Sequence, residues 1–119
     1  MMRSLALLVV LGLGAACGAP ADAHIPAIGD PERGRQLARE YGCQTCHVIP
    51  GIIDARGTVG PPLERFALRS FAGGRLNTPE NLIEFLIDPR AVDPRTPMPV
   101  VGLHLDEARD IAAYLYTLR

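Results

Sequence analysis

Cys43-Gln44-Thr45-Cys46-His47 governs how the other residues are read. A Cys-x-x-Cys-His run reads as an attachment site for a c-type haem. Two thiols separated by two residues can each add to a vinyl group of one porphyrin, and the imidazole that follows can then ligate the iron. Other readings of the cysteine pair fit less well. A thioredoxin-like redox pair calls for a preceding strand and a βαβ pattern, and no stretch here alternates with period two. A zinc site needs two more ligands, yet the only other histidines are His24 and His104 and there is no second cysteine pair.

Composition agrees with a small domain built around a large apolar group. The chain has 119 residues, 48% of them hydrophobic, but much of that content lies in the first 23. Only 5% is aromatic and tryptophan is absent, so the remainder has few large side chains for a core. Domains of this size usually need a staple, which a covalent haem would supply. The formal net charge is −1, and all 12 basic residues are arginine. No basic patch of the kind that grips phosphates is present, which excludes nucleic-acid binding.

Residues 1–23 have the layout of a secretory signal: Arg3, an apolar run from Leu5 to Leu13, then Ala21-Asp22-Ala23 as a small-x-small cleavage site. The apolar run is shorter than the roughly 18 residues a spanning helix needs. Cleavage leaves residues 24–119 as one domain, and export places them in the periplasm. Cys17 either departs with the signal or, in the lipoprotein-like stretch Leu13-Gly14-Ala15-Ala16-Cys17, carries a lipid anchor. Cys43 and Cys46 then reach an oxidising compartment, where they must be committed to haem or become a disulfide.

The remainder reads as short helices joined by proline-rich loops. Asp30-Pro31 is an N-cap and first helical position, opening a helix through Gly34, Leu37, Ala38 and Tyr41 that ends at Gly42. Gly34 in its middle is either a point of close approach or merely tolerated. A short helix is expected from Leu63 to Arg69, stopping before Gly73-Gly74. Thr78-Pro79-Glu80 opens another, terminated at Asp88-Pro89. Residues 89–104 read as an extended loop, and Asp106 as the cap of a last helix with Ala108, Ile111, Ala112, Tyr114, Leu115 and Leu118 on its apolar side. The fold class expected is all-α.

Once the signal is removed, Met98 is the only methionine, held between Pro97 and Pro99. A thioether on so stiff a loop suits a ligand better than core filler. Together with His47 it would give iron an axial His/Met pair. His104 is the rival, although a surface or capping role suits it better. His24 lies at the new terminus.

With these residues in view, the chain resembles a bacterial class I cytochrome c over about residues 30–119. The resemblance rests on Cys43-Gln44-Thr45-Cys46-His47, then Gly60-Pro61-Pro62-Leu63, then Thr96-Pro97-Met98-Pro99, in the family's order and spacing. Asn77 to Met98 is further similar to the c-type domains of haem-copper oxidase subunits. The resemblance implies about four short helices wrapped around one covalently attached haem, with the terminal helices crossing at Gly34 and Tyr114. It also implies that the Pro61 carbonyl accepts a hydrogen bond from His47. Phe85 stands where such sequences often have Trp, and Arg95 where they often have Gly before the Met, a place that would strain Arg95 if φ were positive.

The function expected is therefore a periplasmic one-electron carrier rather than an enzyme. Its partners would be redox proteins: a terminal oxidase, a cytochrome bc complex or a periplasmic dehydrogenase. Membrane contact would come only through those partners or a lipid at Cys17. The site expected is Cys43, Cys46, His47, Pro61 and Met98, with Leu63, Phe66, Phe85, Leu86 and Leu115 burying the ring. Arg56, Arg75 and Asn77 are candidates for the propionates. The alternatives are a peroxidase or gas sensor with a labile Met98, or a dedicated subunit of an oxidase or dehydrogenase complex.

Overall fold

Asp30 and Pro31 start the first helix as their residue types direct. The Asp30 carboxylate accepts the backbone N–H groups of Glu32 and Arg33 at 2.9 and 3.2 Å. Pro31 sits where no N–H is needed. The computed structural model describes residues 28–119, and within them α1 spans Pro31–Glu40. The signal assigned to residues 1–23, the anchor at Cys17 and His24 lie outside the described residues.

After α1, Gly42 turns the backbone at a φ of +77°, and Cys43–Thr45 forms one 3-10 turn. A second 3-10 turn, Phe66–Leu68, replaces the helix expected over Leu63 to Arg69. Arg65 has a left-handed backbone, φ 54°, which no α-helix can include. The strands β1 (Phe71–Ala72) and β2 (Arg75–Leu76) follow, paired antiparallel. Next come α2 (Pro79–Ile87), α3 (Pro89–Val92) and α4 (Leu105–Leu115).

The all-α expectation is corrected by β1 and β2, which make the described residues a mixture of four helices and one small sheet. Gly73 and Gly74 both have positive φ, 57° and 78°, as a two-residue turn between antiparallel strands requires. They close a hairpin rather than stopping a helix. Two boundaries also move. The loop expected from residue 89 begins as α3, because the Asp88 side chain accepts the N–H of Ala91 at 3.0 Å and restarts the helix after α2. The last helix is capped by His104, two residues earlier than Asp106, with the His104 N–H donating to Glu107 Oε2 at 2.9 Å. Arg95 has no positive φ, so the strain considered there does not arise.

The core lies where α1 and α2 pack on α4. Ile111, 2% exposed, sits at its centre with Leu37, Ala38, Leu82, Leu86 and Leu115. A buried side chain of this size stabilises the fold by about 1.5–3 kcal/mol. Gly34 lets α1 and α4 touch backbone to backbone, since a Cβ there would lie 1.9 Å from the Asp110 carbonyl oxygen. The buried Asp110 fastens the same contact. Its carboxylate accepts the Asp30 N–H at 2.8 Å and the Arg33 guanidinium at 2.6 Å. Among the described residues no helix is long and apolar enough to cross a membrane.

Candidate functional site

The core is open on one side, into a cavity of about 300 Å³ walled by α1, α2, α4 and three loops. Cys43, Cys46 and His47 line one part of it and Met98 another. Both cysteines are free thiols. Burial pushes the Cys43 thiol above its ordinary value, because the thiolate would lose solvation there.

The histidine is positioned by the loop that follows it. Gly60 N–H donates to Cys46 O at 2.8 Å, and Leu63 N–H to Val48 O at 2.8 Å, lashing residues 60–63 alongside the motif. Gly57 runs against the backbone of Thr45 and Cys46, and Gly60 lies flat on the imidazole. A Cβ at Gly60 would fall 2.3 Å from the nearest ring atom. At the end of this run the Pro61 carbonyl lies 2.7 Å from His47 Nδ1. A carbonyl can only accept, so Nδ1 carries the proton and Nε2 keeps its lone pair. The tautomer needed of a metal ligand is thereby selected.

Met98 is carried by a loop with its own internal supports. Thr96 N–H donates to Asp93 O at 3.0 Å, Arg95 N–H to Asp93 Oδ1 at 3.1 Å, and Met98 N–H to Thr96 Oγ1 at 3.3 Å. Pro97 and Pro99 fix φ on either side. The side chain is partly buried against the core. His104, the rival ligand, does not line the cavity and instead caps α4.

Leu63, Phe66, Phe85, Leu86 and Leu115, expected as the apolar surround, all line the cavity. The propionate candidates do not. Arg56 faces solvent beside Asp54, Arg75 pairs with Glu84 at 2.7 Å, and Asn77 donates to the carbonyls of Phe66 and Arg69 at 3.1 Å each. The arginine that does line the cavity is Arg69, with Asp93 the acid that does. Arg69 donates to the carbonyls of Pro62 and Glu64, and its guanidinium lies 5.5 Å from the Phe66 ring centroid. Its placement depends on loops distant from α1 and carries no local sequence signal.

Chemically the lining is mostly apolar, with one imidazole, one thioether and two thiols as its soft-metal donors and Arg69, Asp93 and Thr96 as its other polar side chains. Such a set suits a flat apolar group that carries a soft-ligand metal. Among the described residues no three His, Cys, Asp or Glu side chains gather to hold a bare metal ion. No protein-family model matches this chain, and no curated protein matches it significantly.

Proposed function

We propose that the chain is a one-electron carrier holding a single haem c in this cavity. The observation that carries the reading is the convergence of Cys43, Cys46, His47 and Met98 on one apolar cavity, with His47 Nδ1 tied to Pro61. When bound, haem supplies a reversible Fe(III)/Fe(II) couple.

In this reading each residue has a role that its position supports. Cys43 and Cys46 would tether the ring, each thiol adding across one vinyl group to give a thioether. His47 offers Nε2, its orientation held by Pro61 and Gly60. Met98 offers its sulfur from a proline-stiffened loop, which favours a raised potential relative to a second histidine. A haem held by both His47 and Met98 would have no position left for a substrate. Phe66, Phe85, Leu86 and Leu115 exclude water, which disfavours the more highly charged oxidation state and limits rearrangement when the charge changes. Export to the periplasm and redox proteins as partners complete the proposal.

The test is Met98→Ala in the haem-loaded protein, followed by potentiometric titration and exposure to CO. The expected result is a lowered midpoint potential and rapid CO binding by the variant, against indifference to CO in the wild type. An unchanged potential and spectrum in the variant would remove Met98 from the site. CO binding by the wild type would instead favour the sensor or peroxidase alternative.

A further inference from the structure

Among the described residues Asp93 is the one acid lining the cavity, an unfavourable place for a carboxylate unless a donor meets it. The nearest guanidinium is not that donor. Arg95 Nε lies 3.8 Å away on a side chain that is 94% exposed, where solvent screens the pair. The donor that meets it is the Arg95 backbone N–H, 3.1 Å from Asp93 Oδ1.

That bond decides the shape of a turn. Thr96 N–H donates to Asp93 O at 3.0 Å, closing a four-residue turn with Pro94 and Arg95 at its centre. A type II turn needs a positive φ at its third residue and so favours glycine there, whereas type I admits most residues. Arg95 has no positive φ, which excludes type II. An aspartate in first place favours type I because its carboxylate takes the N–H of the third residue, as Asp93 does. The bond thereby accommodates Arg95 where similar sequences often have glycine.

Met98 depends on this turn for its hydrogen bonding. Among the described residues, the backbone of 97–103 takes part in a single hydrogen bond, from Met98 N–H to Thr96 Oγ1 at 3.3 Å. Thr96 is the last residue of the turn. Asp93 N–H in its place donates to Pro89 O at 2.8 Å, which seats the turn on the end of α3. A chain of bonds therefore runs from α3 through Asp93 and Thr96 to the methionine backbone. On the far side support comes from packing, through Val101 and the buried Leu103.

We propose that Asp93 is a positioning residue for Met98: by accepting the Arg95 N–H, its carboxylate sets the turn that presents the thioether, and so how firmly Met98 would hold haem iron. The inference rests on the carrier reading above. Its test titrates the ferric haem-loaded protein with imidazole, a ligand that enters only when Met98 lets go, and follows loss of the weak red methionine-to-iron band. The apparent affinity for imidazole scales with the fraction of protein that has released the methionine. Asp93→Ala, which removes the acceptor, should raise that affinity about tenfold, with helix and haem content unchanged. Asp93→Asn keeps Oδ1 as an acceptor without the charge and should match the wild type. Arg95→Gln keeps the backbone N–H without the guanidinium and should match it too. In the ¹⁵N-labelled wild type the Arg95 amide should exchange with solvent about tenfold or more below its unstructured rate, a readout independent of any variant's folding.

Wild-type imidazole affinity in Asp93→Ala would overturn the assignment and leave the carrier reading standing. So would an equal gain in Asp93→Asn, which would make charge rather than the turn the cause, or in Arg95→Gln, which would make it the ion pair. An Arg95 amide exchanging at its unstructured rate would do the same. A wild-type protein without the red band would overturn the carrier reading itself, and the role of Asp93 with it.

Discussion

Replacing Gly34 by alanine should destabilise the protein even though alanine is the better helix former. The added Cβ would stand 1.9 Å from Asp110 O, 2.4 Å from Asp110 C and 2.9 Å from Ile111 N, all of them backbone atoms that cannot swing aside. Ordinary contact needs about 3.5 Å, so α1 must retreat from α4 by roughly 1.5 Å. That displacement loosens Leu37 and Ala38 in the core and lengthens the Asp30–Asp110 hydrogen bond. Overpacking of this kind costs about 3 kcal/mol at the upper end of its usual range. The gain in helix propensity offsets about 1 kcal/mol of it. A net loss of about 2 kcal/mol should lower the melting temperature of so small a domain by about 8–16 °C. The assay is far-UV circular dichroism melting of the haem-loaded protein. Gly74→Ala serves as the comparison, because Gly74 has a positive φ but nothing within 4 Å of an added Cβ. It should lose about 1 kcal/mol from backbone strain alone. A Gly34→Ala variant as stable as the wild type would refute the close approach of α1 and α4.

Three further outcomes follow from particular contacts. Gly60→Ala would drive a methyl into the His47 ring, with three ring atoms at 2.3–2.8 Å, and break the bond to Pro61. A perturbed haem spectrum with unchanged helix content should result. Asn77→Ala would strip a donor from the carbonyls of Phe66 and Arg69 and an acceptor from the Tyr116 hydroxyl. It should lower the urea midpoint by an amount worth about 1–3 kcal/mol with the m-value unchanged. Glu107 accepts hydrogen bonds from the His104 N–H and, at 2.8 Å, from the Tyr41 hydroxyl. Those contacts hold its carboxyl below the usual range, the His104 bond foremost. A depressed folded pKa stabilises the protein above the ordinary glutamate value and ceases to do so as pH falls through the folded one. Glu107→Gln should therefore narrow the difference in denaturant stability between pH 7 and pH 3.

What the sequence disclosed depended on how local the controlling contact was. The caps at Asp30 and Thr78 follow from side chains that bond their own helix, and both stand where read. Gly34 was open between close approach and mere tolerance from its residue type, the resemblance implied a helix crossing there, and the contact with the Asp110 backbone decides for close approach. Cys43, Cys46 and His47 were legible together because they form one short motif with fixed spacing, whereas the contact of Pro61 with His47 was implied only by the resemblance. The hairpin escaped notice because strands of two residues are too short to display a period, although Gly73-Gly74 carried the turn signal. The helix expected over Leu63 to Arg69 yielded to contacts far along the chain. Ala67 N–H donates to Leu118 O at 2.9 Å, and Arg69 ties down the carbonyls of Pro62 and Glu64. Those same contacts bring Arg69 to the cavity while Arg75 turns away to Glu84, a distinction that composition cannot make. The cap of α4 passed from Asp106 to His104 because the reciprocal bond from Glu107 ends at the His104 backbone, for which any residue type suffices.

The central claim, that Cys43, Cys46, His47 and Met98 hold one six-coordinate haem, is tested most directly by the visible spectrum of the chain expressed with a c-type haem maturation system. Spectra are recorded oxidised and reduced, with and without CO. A low-spin c-type spectrum with the weak red methionine-to-iron band, unmoved by CO, is the result expected. A chain that takes up no covalent haem, or a high-spin spectrum that shifts with CO, would contradict it.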